Sequence, residues 1–146
     1  MIAIRDEVMQ LAEDIVRELR RVIENQLLTW KPLSAAYLRR KRRLNLDERI
    51  LIATGHYLDS IQVRTDPNDD WKITIGFYEN QQHPVYEGID FNDLARWLEY
   101  GTTQMAARPH WRPVFYKFRQ EFNQTKKRLE KDLVNIVEGW LKDNNV

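Results

Sequence analysis

Three histidines, His56, His83 and His110, are the side chains best suited to proton transfer or metal ligation near neutral pH, and the 146-residue chain has no cysteine. Only His56 has a carboxylate one turn further on, Asp59, and two such groups do not make a metal site. Asp66, Asn68 and Asp70 have the alternate spacing of a calcium loop. That loop needs glycine at its sixth position and glutamate at its twelfth, where this chain has Trp71 and Phe77, so the segment reads as a turn. Asp93 and Glu99 are too far out of phase to share one helix face. The sequence contains no glycine-rich phosphate loop, no Gly-x-Ser-x-Gly elbow and no thiol nucleophile. These residues point away from an enzyme. The strongest chemical signal is Arg39, Arg40, Lys41, Arg42 and Arg43, consecutive cations that could hold phosphate or an acidic protein, or simply be solvated. On a helix, five successive residues point almost all the way round, so they make no single focused stripe.

The elements that must position these residues are legible from periodicity. Ile4, Val8, Leu11, Ile15, Leu19, Val22 and Ile23 recur every three or four residues and predict an amphipathic helix over residues 2–28. Its polar face sets Glu13 with Arg17, and Arg20 with Glu24, at salt-bridge spacing. Pro32 breaks the pattern, and Ser34 can cap a second helix reaching residue 43. Thr54-Gly55 marks a turn before a brief helical pattern at Tyr57, Leu58 and Ile61. Ile61 and Val63 alternate with polar residues. After a five-residue polar link, Trp71, Ile73, Ile75 and Phe77 do the same, predicting an antiparallel hairpin. Residues 81–89 read as a loop with a short strand near Val85 and Tyr86. Asp90 can cap a helix over residues 91–100, in which Leu94, Trp97 and Leu98 share a face. Gly101 is placed to end it with a left-handed residue. Residues 102–107 should be extended as a third strand. Pro109 and Pro113 suit the first turn of a last helix over residues 111–142. Phe115, Phe122, Leu129 and Ile136 recur every seven residues there, so the aromatics read as core and the second half of the helix as the part that packs on the first helix. The expected class is α+β, a small antiparallel sheet packed by long N- and C-terminal helices plus short helices, in one domain over residues 1–146.

Composition excludes several functional classes. Apolar residues make up 42% and charged residues 31%, an ordinary soluble balance. No apolar run approaches the roughly 18–20 residues that span a bilayer, and charge at Arg5, Asp6 and Glu7 precedes any hydrophobic stretch, so neither a signal peptide nor a membrane helix is expected. Lack of cysteine excludes disulfides and thiolate metal sites and fits a reducing compartment. A net charge of +1 is not the overall excess of a nucleic-acid binder, but the charge is zoned. Residues 17–43 carry nine basic and two acidic side chains, residues 66–100 two and eight, and residues 108–131 eight and two. Zones of opposite sign allow copies to meet basic face to acidic face.

Two ordered blocks carry a family resemblance. Trp97-Leu98-Glu99-Tyr100-Gly101-Thr102, followed by Ala107-Arg108-Pro109 and Arg112-Pro113, resembles the tail-completion and neck proteins of tailed bacteriophages. In that family an acidic-aromatic-Gly-Thr turn precedes an Ala-Arg-Pro-aromatic-x-Arg-Pro segment; His110 stands here at the aromatic position. Trp30-Lys31-Pro32-Leu33-Ser34, then Tyr37 and Lys41, then Leu51-Ile52-Ala53-Thr54-Gly55, Tyr57 and Ser60-Ile61 is similar to the family's earlier block, with Tyr57 in a leucine position. The resemblance implies a virion structural protein of a phage or prophage. It would be made in the bacterial host cytoplasm and act, without cofactor, as a ring of identical subunits at the head–tail joint or tail end. Its partners would be copies of itself and other neck, connector or tail proteins, near channel DNA and away from membranes. On this reading the candidate contact residues are Trp30, Arg39, Arg40, Arg42, Arg43, Glu99, Arg108, Arg112 and Trp140. The structural turn residues are Gly55, Tyr100, Gly101, Thr102 and Pro109. Arg108 or Arg112 should pair with a carboxylate of the acidic zone. The competing reading is a helical DNA-binding or regulatory module that uses residues 39–43.

Overall fold

Helix α1 (Ile2–Glu24) buries Leu11, Ile15, Leu19, Val22 and Ile23 along one stripe, as its periodicity requires. It stops four residues before the expected end because Gln26 takes a left-handed φ of 53°. The Leu27 N–H then reaches back to the Val22 carbonyl at 2.9 Å, closing the last turn. A left-handed conformation costs a non-glycine residue about 1–2 kcal/mol. The Gln26 amide offsets this by holding Ile50 of a distant loop, donating to its carbonyl at 3.0 Å and accepting from its N–H at 2.8 Å.

The computed structural model describes residues 2–77, 81–84 and 87–144. After α1 come α2 (Ala35–Arg43), α3 (His56–Asp59), β1 (Gln62–Asp66), β2 (Asp69–Gly76), α4 (Phe91–Tyr100) and α5 (Trp111–Asp143). The fold is α+β, as expected. Ser34 caps α2 by accepting from the Tyr37 N–H at 3.2 Å, and Asp90 caps α4 by accepting from the Asn92 N–H at 2.7 Å. Strands β1 and β2 pair antiparallel, with Val63 opposite Ile75 and Thr65 opposite Ile73. The turn is tighter than the five-residue link predicted. Asp66 and Asp69 pair across its ends, and the Asp66 carboxylate accepts from the Asn68 N–H at 2.9 Å.

The described sheet has two strands, so the expected third strand at 102–107 is corrected. There the backbone satisfies itself locally, with the Thr102 N–H on the Met105 carbonyl at 2.8 Å and the Met105 N–H on Thr102 Oγ1 at 3.0 Å. Such a turn leaves no ladder to offer a neighbour. The strand expected near Val85 and Tyr86 lies outside the described residues.

One buried cluster joins the α1 stripe to Trp30, Ile52, Tyr57, Leu58, Ile61, Phe77, Phe91 and Val114. Two cross-helix ion pairs, Lys117 with Glu18 at 2.6 Å and Arg128 with Glu7, set α5 antiparallel to α1 in matched register. It is therefore the first half of α5, not the second, that packs on α1. Carried on, the same register brings the start of α1 opposite Leu133. Most of the aromatic and aliphatic heptad row is also not core. Phe115, Phe122, Leu133, Ile136, Val137 and Trp140 are all at least 41% exposed. The face turned to α1 carries Val114, Phe118 and Thr125 with the two ion pairs, and the heptad row sits to one side of it.

Candidate functional site

The Leu-Glu-Tyr-Gly-Thr motif and the start of α5 meet through one carboxylate. Gly101 takes φ 77° and terminates α4, and a Cβ there would stand 2.9 Å from the Ala107 backbone nitrogen. Only glycine fits so sharp a reversal. The chain doubles back, the Arg108 N–H bonding the Leu98 carbonyl at 2.6 Å, and delivers the start of α5 to Glu99. Glu99 Oε2 accepts from the N–H groups of His110 at 2.9 Å and Trp111 at 3.0 Å. Its Oε1 accepts from the Arg112 N–H at 2.9 Å and from Arg112 Nε at 3.1 Å. A side chain from one helix thus caps the next, placing negative charge at a positive helix end. Burial alone would push the Glu99 carboxyl up, but the three backbone N–H groups and the Arg112 guanidinium together hold it below its ordinary range. The Arg112 guanidinium also lies over the Tyr100 ring, 4.6 Å from its centroid.

Beside this clamp runs a second chain of hydrogen bonds. His110 Nδ1 lies 2.9 Å from the Arg108 carbonyl and must donate to it, which leaves Nε2 to accept from the Tyr57 hydroxyl at 2.6 Å. Trp111 Nε1 in turn donates to Tyr57 Oη at 3.2 Å. Burial pushes the His110 pKa down and the Tyr57 pKa up, so both stay neutral. Buried and neutral, they tie α3 to the start of α5. Trp30 Nε1 donates to the Pro109 carbonyl at 2.8 Å, and the Arg108 guanidinium donates to the carbonyls of Lys31 at 3.1 Å and Pro32 at 3.3 Å. The two sequence blocks are therefore neighbours in space.

The sequence pattern assigns Tyr57 and His110 no bonding role and places Trp30 and Glu99 on a contact surface. Both of the latter are buried within the chain, so neither is an exposed anchor. Two anomalies signalled the clamp. Glu99 lies in the last turn of α4, where its own helix dipole disfavours it, while α5 begins at His110 with no capping side chain of its own. Each anomaly answers the other.

The basic run divides. Lys41 is buried, and its ammonium donates to the carbonyls of Asp47 at 2.7 Å, Arg49 at 2.7 Å and Ile52. It fills a backbone cage much as a bound cation would, and burial pushes its pKa down. Within the cage loop, Leu51 holds a positive φ of 65°. Arg39, Arg40, Arg42 and Arg43 stay exposed, Arg42 pairing with Glu48 at 2.6 Å. The run's central cation therefore belongs to the fold.

A groove of about 740 Å³ opens beside this cage, between residues 31–34, α2, residues 51–55, α4 and residues 104–108. Leu33, Leu51, Leu94, Trp97 and Met105 give it apolar walls. Lys31, Arg40, Lys41 and Arg108 also line it, and among the described residues no aspartate or glutamate does. Gly55, at φ 86°, turns the chain at its edge. Tyr100 and Trp140 are largely exposed. Among the described residues no group of three or more histidines and carboxylates is placed to hold a metal, and no helix is long and apolar enough to cross a membrane. No family model, curated protein or solved structure matches the chain.

Proposed function

We propose that the chain is a non-enzymatic structural protein of a tailed phage or prophage particle, forming a ring of identical subunits at the head–tail joint or tail end. The observation that carries this reading is the convergence of its two motif blocks. Trp30 and Tyr57 of the first contact Pro109, His110 and Trp111 of the second, next to the Glu99 clamp. Residues that recur together in order are expected to be packed together, and a motif built for packing suits an assembly part rather than a catalyst. The zoned charge supplies complementary faces for a heterologous contact, the kind that closes into rings. DNA binding through Arg39, Arg40, Arg42 and Arg43 draws less support, since the intervening Lys41 is turned into the protein.

The test is electron microscopy of particles assembled with and without this chain. Its omission should leave full heads and free tails, and labelled protein should lie at the joint or tail end. Joined, infectious particles in its absence would end the proposal.

A further inference from the structure

The apolar row of α5 stands open. Phe115, Phe122, Leu129, Leu133, Ile136 and Trp140 follow one another along one side of the helix, and all but Leu129 are at least 41% exposed. From Phe115 to Trp140 the row runs about 38 Å. The face turned to α1 is about a quarter-turn away round the helix, so α1 leaves the row accessible. Phase decides which charges border it. At about 100° per residue, Arg112, Arg119 and Lys126, then Glu130, Asp132 and Asp143, are the charged side chains of α5 within a quarter-turn of the row's midline. Along this border every cation precedes every carboxylate. Arg112 is already held by Glu99, whereas Arg119, Lys126, Glu130 and Asp132 are exposed and make no ion pair among the described residues.

We infer that this row pairs antiparallel with the same row of a second copy, as a two-stranded coiled coil about a two-fold axis beside Lys127 and Arg128. Phe115, Phe122, Leu129 and Ile136 hold one core position of the heptad, and Arg119, Lys126, Leu133 and Trp140 hold the other. The occupant is a copy of this chain because the charged border is complementary to its own reverse. A parallel copy would set cation on cation, and a reversed one sets the basic half on the acidic half. In the matching register Phe115 faces the partner's Trp140, and Phe122 faces the partner's Leu133. Lys126 meets the partner's Glu130, a pair the axis repeats. Arg119 lays its methylene stem over the partner's Ile136. Sliding a heptad toward the C-terminus would set Glu130 against Glu130, and sliding the other way would leave Trp140 with no layer to face. Such an isologous contact closes at two copies, so it is distinct from the head-to-tail contact that closes a ring.

Because the chain has no cysteine, single-cysteine variants of the full chain report the pairing directly. Phe122→Cys and Leu133→Cys, mixed and oxidised, should form a 122–133 disulfide, and neither should link to itself, since each lies far from its own copy across the axis. Self-links as abundant as the mixed link would mean a parallel pair, and they, or the absence of any cross-link, would overturn the inference. Sedimentation equilibrium of the uncrosslinked chain supplies the second measurement. The parent should form a dimer, Lys126→Glu should raise its Kd at least tenfold, and adding Glu130→Lys to that chain should restore it. Both positions are exposed, so thermal melts of the monomers should match. A parent that stays monomeric, or a Kd that Lys126→Glu leaves unchanged, would overturn the inference.

Discussion

Replacing Glu99 tests whether the chain's two halves are held by that one carboxylate. In Glu99→Ala the N–H groups of His110 and Trp111 lose their acceptor in a place water hardly reaches. Each orphaned donor costs about 1–3 kcal/mol. The lost charge at the start of α5 adds about 0.5–1 kcal/mol. Arg112 adds little, because its side chain is 46% exposed and can turn to water. The total is about 2.5–7 kcal/mol, a range that brackets the roughly 3–5 kcal/mol usual for removing one partner from a buried ionic cluster. For a chain of this size that lowers Tm by roughly 10 °C. Glu99→Gln keeps one acceptor oxygen and should lose about half as much. Arg112→Ala should lose less than about 1 kcal/mol. Urea unfolding of the three variants measures this, with Cm falling and m unchanged. The acid limb gives an independent check. Glu99 titrates in the folded state below its ordinary 4.5. Its stabilisation is therefore complete above that value and is lost as pH falls toward the folded value, a dependence the Gln variant should lack. A Glu99→Ala protein within 1 kcal/mol of the parent would refute the clamp.

The remaining expectations concern single positions. Lys41→Met should cost about 2–4 kcal/mol by stranding the carbonyls of Asp47, Arg49 and Ile52, while Arg39→Ala and Arg43→Ala stay within about 0.5 kcal/mol; urea midpoints decide. Gly101→Val should cost about 3 kcal/mol or more, because the left-handed φ and the approach to Ala107 both oppose a side chain, whereas Gly139→Ala in open helix should gain about 0.5–1 kcal/mol. His110 resists protonation when folded, so the unfolded chain takes up the proton first. Its contribution is therefore complete above about pH 6.5 and declines as pH falls below it, by at most about 1.4 kcal/mol per unit. Nitrogen NMR should find the proton on Nδ1 at pH 7; a proton on Nε2 would contradict the assigned hydrogen-bond chain.

What could be read from the chain alone was what local chemistry decides. Ser34 and Asp90 cap helices because each lies beside the N–H groups it serves, and Gly101 reverses the backbone because few other residues can. The long helices and the hairpin follow from period and alternation. Contacts between distant residues were not legible. The end of α1 depends on Gln26 meeting Ile50, and the fate of Lys41 depends on a loop folding back over it. The heptad row in α5 looked like core because periodicity shows that a face is apolar without showing what covers it. Trp30 and Glu99 read as contact residues for one reason: burial of a polar atom is visible only when its partner is known.

The unequal support of α5 has a mechanical consequence. α1 begins opposite Leu133, and from there the helix continues to Asp143, a cantilever roughly 15 Å long. Swinging it by 10° about that point moves its tip by about 3 Å, half a helical turn. In the proposed assembly, rings of unequal circumference would be bridged by changing the pitch of each helix end, with the body of every subunit left alone. A cylinder that must mate two tubes of different bore needs that kind of compliance, and here it would reside in a rod anchored at one end.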